Sequence, residues 1–269
     1  MNPIPSITLN NNIEMPVLGL GTRMLKFVKA EKAVAHALEA GYRSIDTSNI
    51  FSNEANIGKA LKESNIERSE LFLSNKVFTS NQSKESIIKA FNKTRLNLNT
   101  DYLDLYLLHG PAQNLFGAWE TLIELYDKGF VRAIGICNTN IKYLKMIEHE
   151  NYMLPLINQL EYNPYITQLE LVDYCKQKSI QVEAWGPLAR GEVLDNKKII
   201  AISQKYEKTP AQIVLRWELQ NDLIVIPSSK NPKRLKENTE IFNFSICEED
   251  MATLHSINSN RRWMWSYGS

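Results

Sequence analysis

Short apolar runs alternate along the chain with longer segments whose apolar residues recur at helical spacing. The runs fall at residues 17–21, 43–46, 71–76, 102–109, 131–136, 157–159, 181–185 and 223–227. Each is short and fits a strand buried on both faces. Between them, residues 30–40 place Ala33, Ala37 and Ala40 on one face, and residues 83–96 place Ile87, Ile88, Phe91 and Leu96 at helical intervals. Residues 119–126, 141–147, 169–178 and 233–242 read in the same way. Ahead of the first run, residues 7–9 and 13–15 flank Asn10, Asn11 and Asn12, a hairpin signal. Eight strands separated by helices predict an α/β fold: a (β/α)8 TIM barrel with an N-terminal β-hairpin closing its bottom. A Rossmann sheet fits less well. After Gly19 and Gly21, the third glycine of G-x-G-x-x-G is replaced by Met24.

Composition narrows the setting. A hydrophobic share of 43% with 23% charged residues suits a folded globular chain, and 31 Lys+Arg against 30 Asp+Glu leave a net charge of +1. That balance offers no broad pull toward nucleic acid or an anionic membrane. No apolar run approaches the roughly 18 residues of a membrane span. The first residues, MNPIPSITLNNN, lack a basic start and an apolar core, and Cys137, Cys175 and Cys247 show no metal or redox spacing. The expectation is a cytoplasmic protein with one domain over residues 1–269, no metal site and a small-molecule substrate.

In a barrel, chemistry gathers at the C-terminal ends of the strands. Asp46, Lys76 and His109 end three successive apolar runs, and Asn138 closely follows a fourth. One such residue suits an ion pair or a loop cap. An acid, an amine and an imidazole converging on one mouth suit tuned proton transfer.

These residues lie in stretches that resemble the aldo-keto reductase family. The most specific runs from Gly41 through Asp46, Thr47, Ser48, Phe51 and Glu54 to Gly58. The stretches from Asp101 to His109, Asn158 to Tyr165, Trp185 to Leu188 and Ile226 to Ser229 are also similar. The resemblance covers essentially the whole chain. It implies a barrel that binds an extended nicotinamide dinucleotide and a tetrad of Asp, Tyr, Lys and His. Asp46, Lys76 and His109 match three of these positions, and Phe51 occupies the tyrosine's. In the family's mechanism, hydride leaves the nicotinamide and the tyrosine protonates the carbonyl oxygen; phenylalanine has no proton to give. His109, if protonated, and Lys76 are the remaining candidate donors.

The resemblance also assigns the cofactor. Asn138 and Gln159 match the amides that hold the carboxamide, and Trp185 an aromatic that stacks on the nicotinamide, although an ordinary core aromatic would look the same. Cys137 stands where the family commonly has serine. Gly21, Thr22, Asp46, Gly186, Pro187 and Leu188 join this cofactor-facing set. Ser228, Ser229, Lys230, Arg234, Glu237 and Asn238 match the loop that grips the adenosine 2′-phosphate and adenine, which favours NADP(H) over NAD(H). Arg23 and Gly110 stand where the family often has tryptophan. With Phe51, His109, Trp263 and Trp265 they form the expected substrate pocket. Arg23 suits an anionic substrate group, and equally a plain surface position. The leading expectation is an NADP(H)-dependent oxidoreductase of a small carbonyl or alcohol, with weak ordinary carbonyl reduction. A redox-neutral lyase or isomerase using Lys76 and His109, and a non-catalytic NADP(H)-binding protein, are the alternatives.

Overall fold

A computed structural model describes residues 3–78, 83–111 and 114–263. In chain order its elements are β1 (Ser6–Thr8), β2 (Glu14–Pro16), β3 (Gly19–Gly21), α1 (Val28–Glu39), β4 (Ser44–Asp46), α2 (Glu54–Glu63), β5 (Phe72–Val77) and α3 (Lys84–Leu98). Then follow β6 (Leu103–Leu108), α4 (Leu115–Asp127), β7 (Val131–Cys137), α5 (Ile141–His149), β8 (Ile157–Glu161), α6 (Leu169–Gln177) and β9 (Gln181–Trp185). The chain ends with α7 (Lys197–Lys205), α8 (Pro210–Gln220), β10 (Ile224–Val225), α9 (Pro232–Thr239) and α10 (Glu248–His255).

Strands β3 to β10 form one parallel sheet in sequential order. The ends meet through a bridge between Leu18 and Val225, with Val225 N–H donating to Val17 O at 2.9 Å and Gly21 N–H to Pro227 O at 3.0 Å. The expected eight-stranded barrel is therefore present. Hairpin β1–β2 pairs Ile7 with Met15. Asn11 Nδ2 donates to Arg132 O at 2.9 Å and Asn10 Nδ2 to Ser179 O at 3.0 Å, which ties the hairpin to the N-terminal ends of β7 and β9. It covers the end opposite the catalytic mouth.

Strand alternation decides what faces inward. On β6, Leu105 and Leu107 enter the inner cluster with Met15, Ala133, Ile157 and Ile224, whereas Tyr106 and Leu108 pack outward under the helices. Gly135 shares the inner face, where a Cβ would lie 2.4 Å from Ile157 O. At the upper ends the same alternation turns Asp46, Lys76, His109, Cys137, Gln159, Glu161, Glu183 and Trp185 toward the barrel axis.

The sequence pattern misses α2, α7, α8 and α10. In α2 the apolar face is only Ile57, Ala60 and Leu61, broken by Gly58, where a Cβ would lie 2.2 Å from Asn97 O. Helix α8 buries Ile213, Val214, Leu215 and Trp217 in near succession, which hides the helical period. Its start is still legible: Pro210 follows Thr209, which forms a capping box with Gln212.

Candidate active site

Lys76 is the centre of the mouth. Its Nζ lies 2.6 Å from each Asp46 carboxylate oxygen and 3.0 Å from Thr47 O. Both side chains are about 95% shielded from solvent. Three acceptors thus occupy the three ammonium hydrogens. The sequence left Lys76 open as a direct donor to substrate; this geometry closes that route.

A second carboxylate lies behind the pair. Gln159 Nε2 donates to Asp46 Oδ2 at 3.0 Å and to Glu183 Oε2 at 2.6 Å. Burial, with Asp46 nearby, pushes the Glu183 carboxyl up to about 8. Both Gln159 amide hydrogens point at carboxylates, so its Oε1 is the atom left for other partners. Cys137 Sγ approaches that oxygen at 3.5 Å. The thiol is wholly buried and its pKa is raised by that burial, so it is inert.

His109 completes the polar group. Its Nδ1 lies 3.1 Å from Ser48 Oγ. The rings of Phe51 and Phe78 meet it edge-on, with centroids at 6.1 and 5.6 Å. Burial, then the charges of Lys76 and Arg23, push the imidazole down to about 3. It is neutral at ordinary pH, which removes the second proton donor that the sequence suggested. Phe51 ends a 3-10 turn spanning Asn49–Phe51, with its ring centroid 5.8 Å from Lys76 Nζ.

One cavity of about 580 Å³ joins these groups to the remaining candidate residues, a size that suits a small organic ligand. Gly21, Thr22, Asn138, Trp185, Gly186, Pro187 and Leu188 line it, as do Ser228, Ser229, Arg234, Glu237 and Asn238. Asn138 adopts a left-handed φ of 51°, and its Oδ1 accepts from Trp185 Nε1 at 2.8 Å. Arg234 stands exposed in the first turn of α9, which Asn231 caps. Lys230 does not line the cavity; it is exposed on the loop just before that cap. The donor set suits a dinucleotide, with amides and an indole at one end and a guanidinium at a helix start at the other.

At the outer rim, Arg23 and Trp263 line the cavity, joined by Glu161 and Arg190. Trp263 N–H donates to Glu161 Oε1 at 2.9 Å, and its ring lies under the guanidiniums of Arg261 and Arg190 at 4.6 and 5.6 Å. Burial and Arg190 lower the Arg23 pKa, which Glu161 partly offsets. Gly110 is buried and does not reach the cavity, since it has no side chain to extend past His109. Trp265 lies outside the described residues. Sequence reasoning missed Ser48, Glu161, Glu183 and Arg190. Three of them were signalled by alternation: each lies two residues from Asp46, Gln159 or Trp185.

Comparison with known proteins agrees with this geometry. The aldo/keto reductase family model matches residues 17–259. A glyoxal reductase of Bacillus subtilis is 40% identical over 259 residues, which cover 96% of this chain and 94% of that protein. A methylglyoxal reductase of Yersinia pestis is 39% identical over 263 residues, covering 96% and 94%. The crystal structure of a Bombyx mori aldo-keto reductase in complex with NADP superposes with a TM-score of 0.92 at 30% identity, covering 97% of this chain and 95% of that one. With its parallel barrel, its buried Lys76–Asp46 pair and a family match across most of its length, the chain belongs to the aldo/keto reductase family.

Proposed function

We propose that the protein is an NADP(H)-dependent oxidoreductase that interconverts a small carbonyl compound and its alcohol, with Phe51 at the position of the family's proton-donating tyrosine. The observation that carries this reading is the single cavity joining Lys76, His109 and Phe51 to Gln159, Trp185 and Arg234. Gln159 and Asn138 hold the carboxamide, Trp185 covers the nicotinamide, and Ser229, Arg234 and Asn238 hold the phosphate-bearing adenosine end. When bound, the dinucleotide supplies or accepts a hydride. The protein's own part is to orient the substrate oxygen near His109 and to exclude water. The relatives' substrates, glyoxal and methylglyoxal, are the first compounds to try. Arg23 and Arg190 at the rim extend the range to a carbonyl compound that bears a carboxylate.

The test is cofactor titration by tryptophan fluorescence, followed by NADPH oxidation against a panel of aldehydes and dicarbonyls, and NADP+ reduction with the matching alcohols. Turnover in either direction supports the reading. Cofactor binding without turnover in both directions leaves the non-catalytic or redox-neutral alternatives.

A further inference from the structure

Strand β4 stops at Asp46, and Thr47 N–H takes the Ser74 carbonyl at 3.0 Å. Two residues on, along the same edge of β5, the Lys76 carbonyl lies beyond the last β4–β5 pair. A carbonyl buried there needs a donor. Ser48 Oγ lies 3.2 Å from it, and Ser48 is itself 0% exposed. The same oxygen is 3.1 Å from His109 Nδ1.

A serine hydroxyl has one hydrogen, and a carbonyl can only accept. The Ser48 hydrogen therefore goes to Lys76 O. The contact with His109 is then a bond only if Nδ1 carries a hydrogen and donates to Ser48 Oγ. A neutral imidazole has a single N–H, so Nε2 is bare. Ser48 holds the Nδ1 edge of the ring, which leaves the Nε2 edge to line the cavity.

We infer that Ser48 is a positioning residue that fixes His109 in its Nδ1–H tautomer, making Nε2 the site's proton acceptor, an atom that must gain a proton before it can donate to a carbonyl. The inference rests on the oxidoreductase reading for the role of Nε2, but not for the tautomer. In oxidation, the substrate hydroxyl gives its proton to Nε2. The carbon–hydrogen pair leaves as hydride to an oxidised nicotinamide dinucleotide, and the carbonyl forms. In reduction the same atoms run backwards, so His109 must first become imidazolium. The groups facing it disfavour that cation, which oxidation forms and reduction starts from. Lys76 from β5 and Arg23 from the loop after β3 are cationic, and Phe51 and Phe78 solvate a charge poorly. Asp46 from β4 is the counter-charge, already bound to Lys76.

The experiment is 15N NMR of the cofactor-free protein with labelled histidine. The chain has four histidines, and a His109→Gln spectrum identifies the signals of interest. The expected wild-type result is a protonated Nδ1 and a pyridine-type Nε2, unchanged from pH 5 to 9. Ser48→Ala should mix the tautomers, and Ser48→Thr should restore them. A protonated Nε2 in the wild type overturns the assignment without need of any variant, and an unchanged Ser48→Ala spectrum overturns the role of Ser48. Kinetics then test the acceptor. kcat/KM for alcohol oxidation should be flat above pH 6, because Nε2 is already bare there. An oxidation rate that climbs about tenfold per pH unit, as proton removal by hydroxide would give, overturns the role of Nε2. Intact spectra with no turnover in either direction overturn the oxidoreductase reading instead.

Discussion

Phe51→Tyr puts a phenol beside the two groups that an acid catalyst needs. The ring centroid is 5.8 Å from Lys76 Nζ and 6.1 Å from the His109 ring centroid. A para hydroxyl lengthens the ring by about one bond and brings an oxygen toward hydrogen-bond range of either partner. Phe51 is half-buried at the cavity wall, so the added atom meets open space and not packed core. The gain is limited by Lys76, whose three hydrogens lie on Asp46 and Thr47 O; one must be released before the ammonium can lower the phenol's pKa. A positioned general acid is worth about 10²–10⁴-fold, and the occupied lysine places this case near 10², or roughly 3 kcal/mol. At a fixed pH kcat/KM for alcohol oxidation should rise by the same factor, because the variant leaves the equilibrium constant unchanged and the phenol that protonates the carbonyl in one direction takes the hydroxyl proton in the other. The assay is steady-state turnover in both directions for wild type and variant, with cofactor affinity measured separately. Normal NADPH binding with neither rate changed would refute the placement of Phe51 in the proton path.

Other substitutions test separate parts of the cavity. Arg234→Ala should weaken NADPH far more than NADH, since a hydrogen bond to a charged group is worth about 1.5–3 kcal/mol; equal losses in a fluorescence titration would show that Arg234 does not read the phosphate. Arg23→Met should raise KM roughly tenfold for a carbonyl substrate bearing a carboxylate and leave a neutral aldehyde of the same length unchanged. Lys76→Met strands Asp46 in the interior beside Glu183 and should cost about 3–5 kcal/mol in urea unfolding, besides abolishing turnover. Glu218 is wholly buried on α8, its two carboxylate oxygens without a hydrogen-bond partner among the described residues, and that burial raises its pKa well above the ordinary range. The folded state therefore holds this proton more tightly than the unfolded chain. Its contribution is complete below the ordinary carboxylate pKa and falls as pH rises toward the folded value. Glu218→Leu should flatten the decline in melting temperature between pH 6 and 9; an equally steep decline would mean that the carboxyl ionises without penalty.

The division between what the sequence disclosed and what it hid follows from how each signal is written. Strands buried on both faces appear as apolar runs, so all eight were visible, and a polar residue at the end of such a run stands out. Asp46, Lys76 and His109 were legible for that reason. Ser48, Glu161 and Glu183 were not, because a serine or glutamate in a loop or near a strand end is common, and only the barrel's closure shows which of them point inward. Glu183 shows the difference. In the sequence it is one of 30 acidic residues. In the fold it sits at 0% exposure against Gln159, two bonds from the carboxylate that neutralises Lys76.

The two proton donors that the sequence left open fail for a shared reason, which alignment of residue types cannot express. A lysine is a donor only if a hydrogen is unoccupied, and a histidine only at the nitrogen that carries one. Lys76 is filled by Asp46 and Thr47 O, and His109 is turned by Ser48. Both outcomes depend on where β4 ends. Because the strand stops at Asp46, Thr47 O is available to Lys76 Nζ, and the Lys76 carbonyl must take its hydrogen from the Ser48 side chain. A single strand terminus thus sets the hydrogen count at both groups. It turns a constellation that reads as acid, amine and imidazole into an ion pair beside a base.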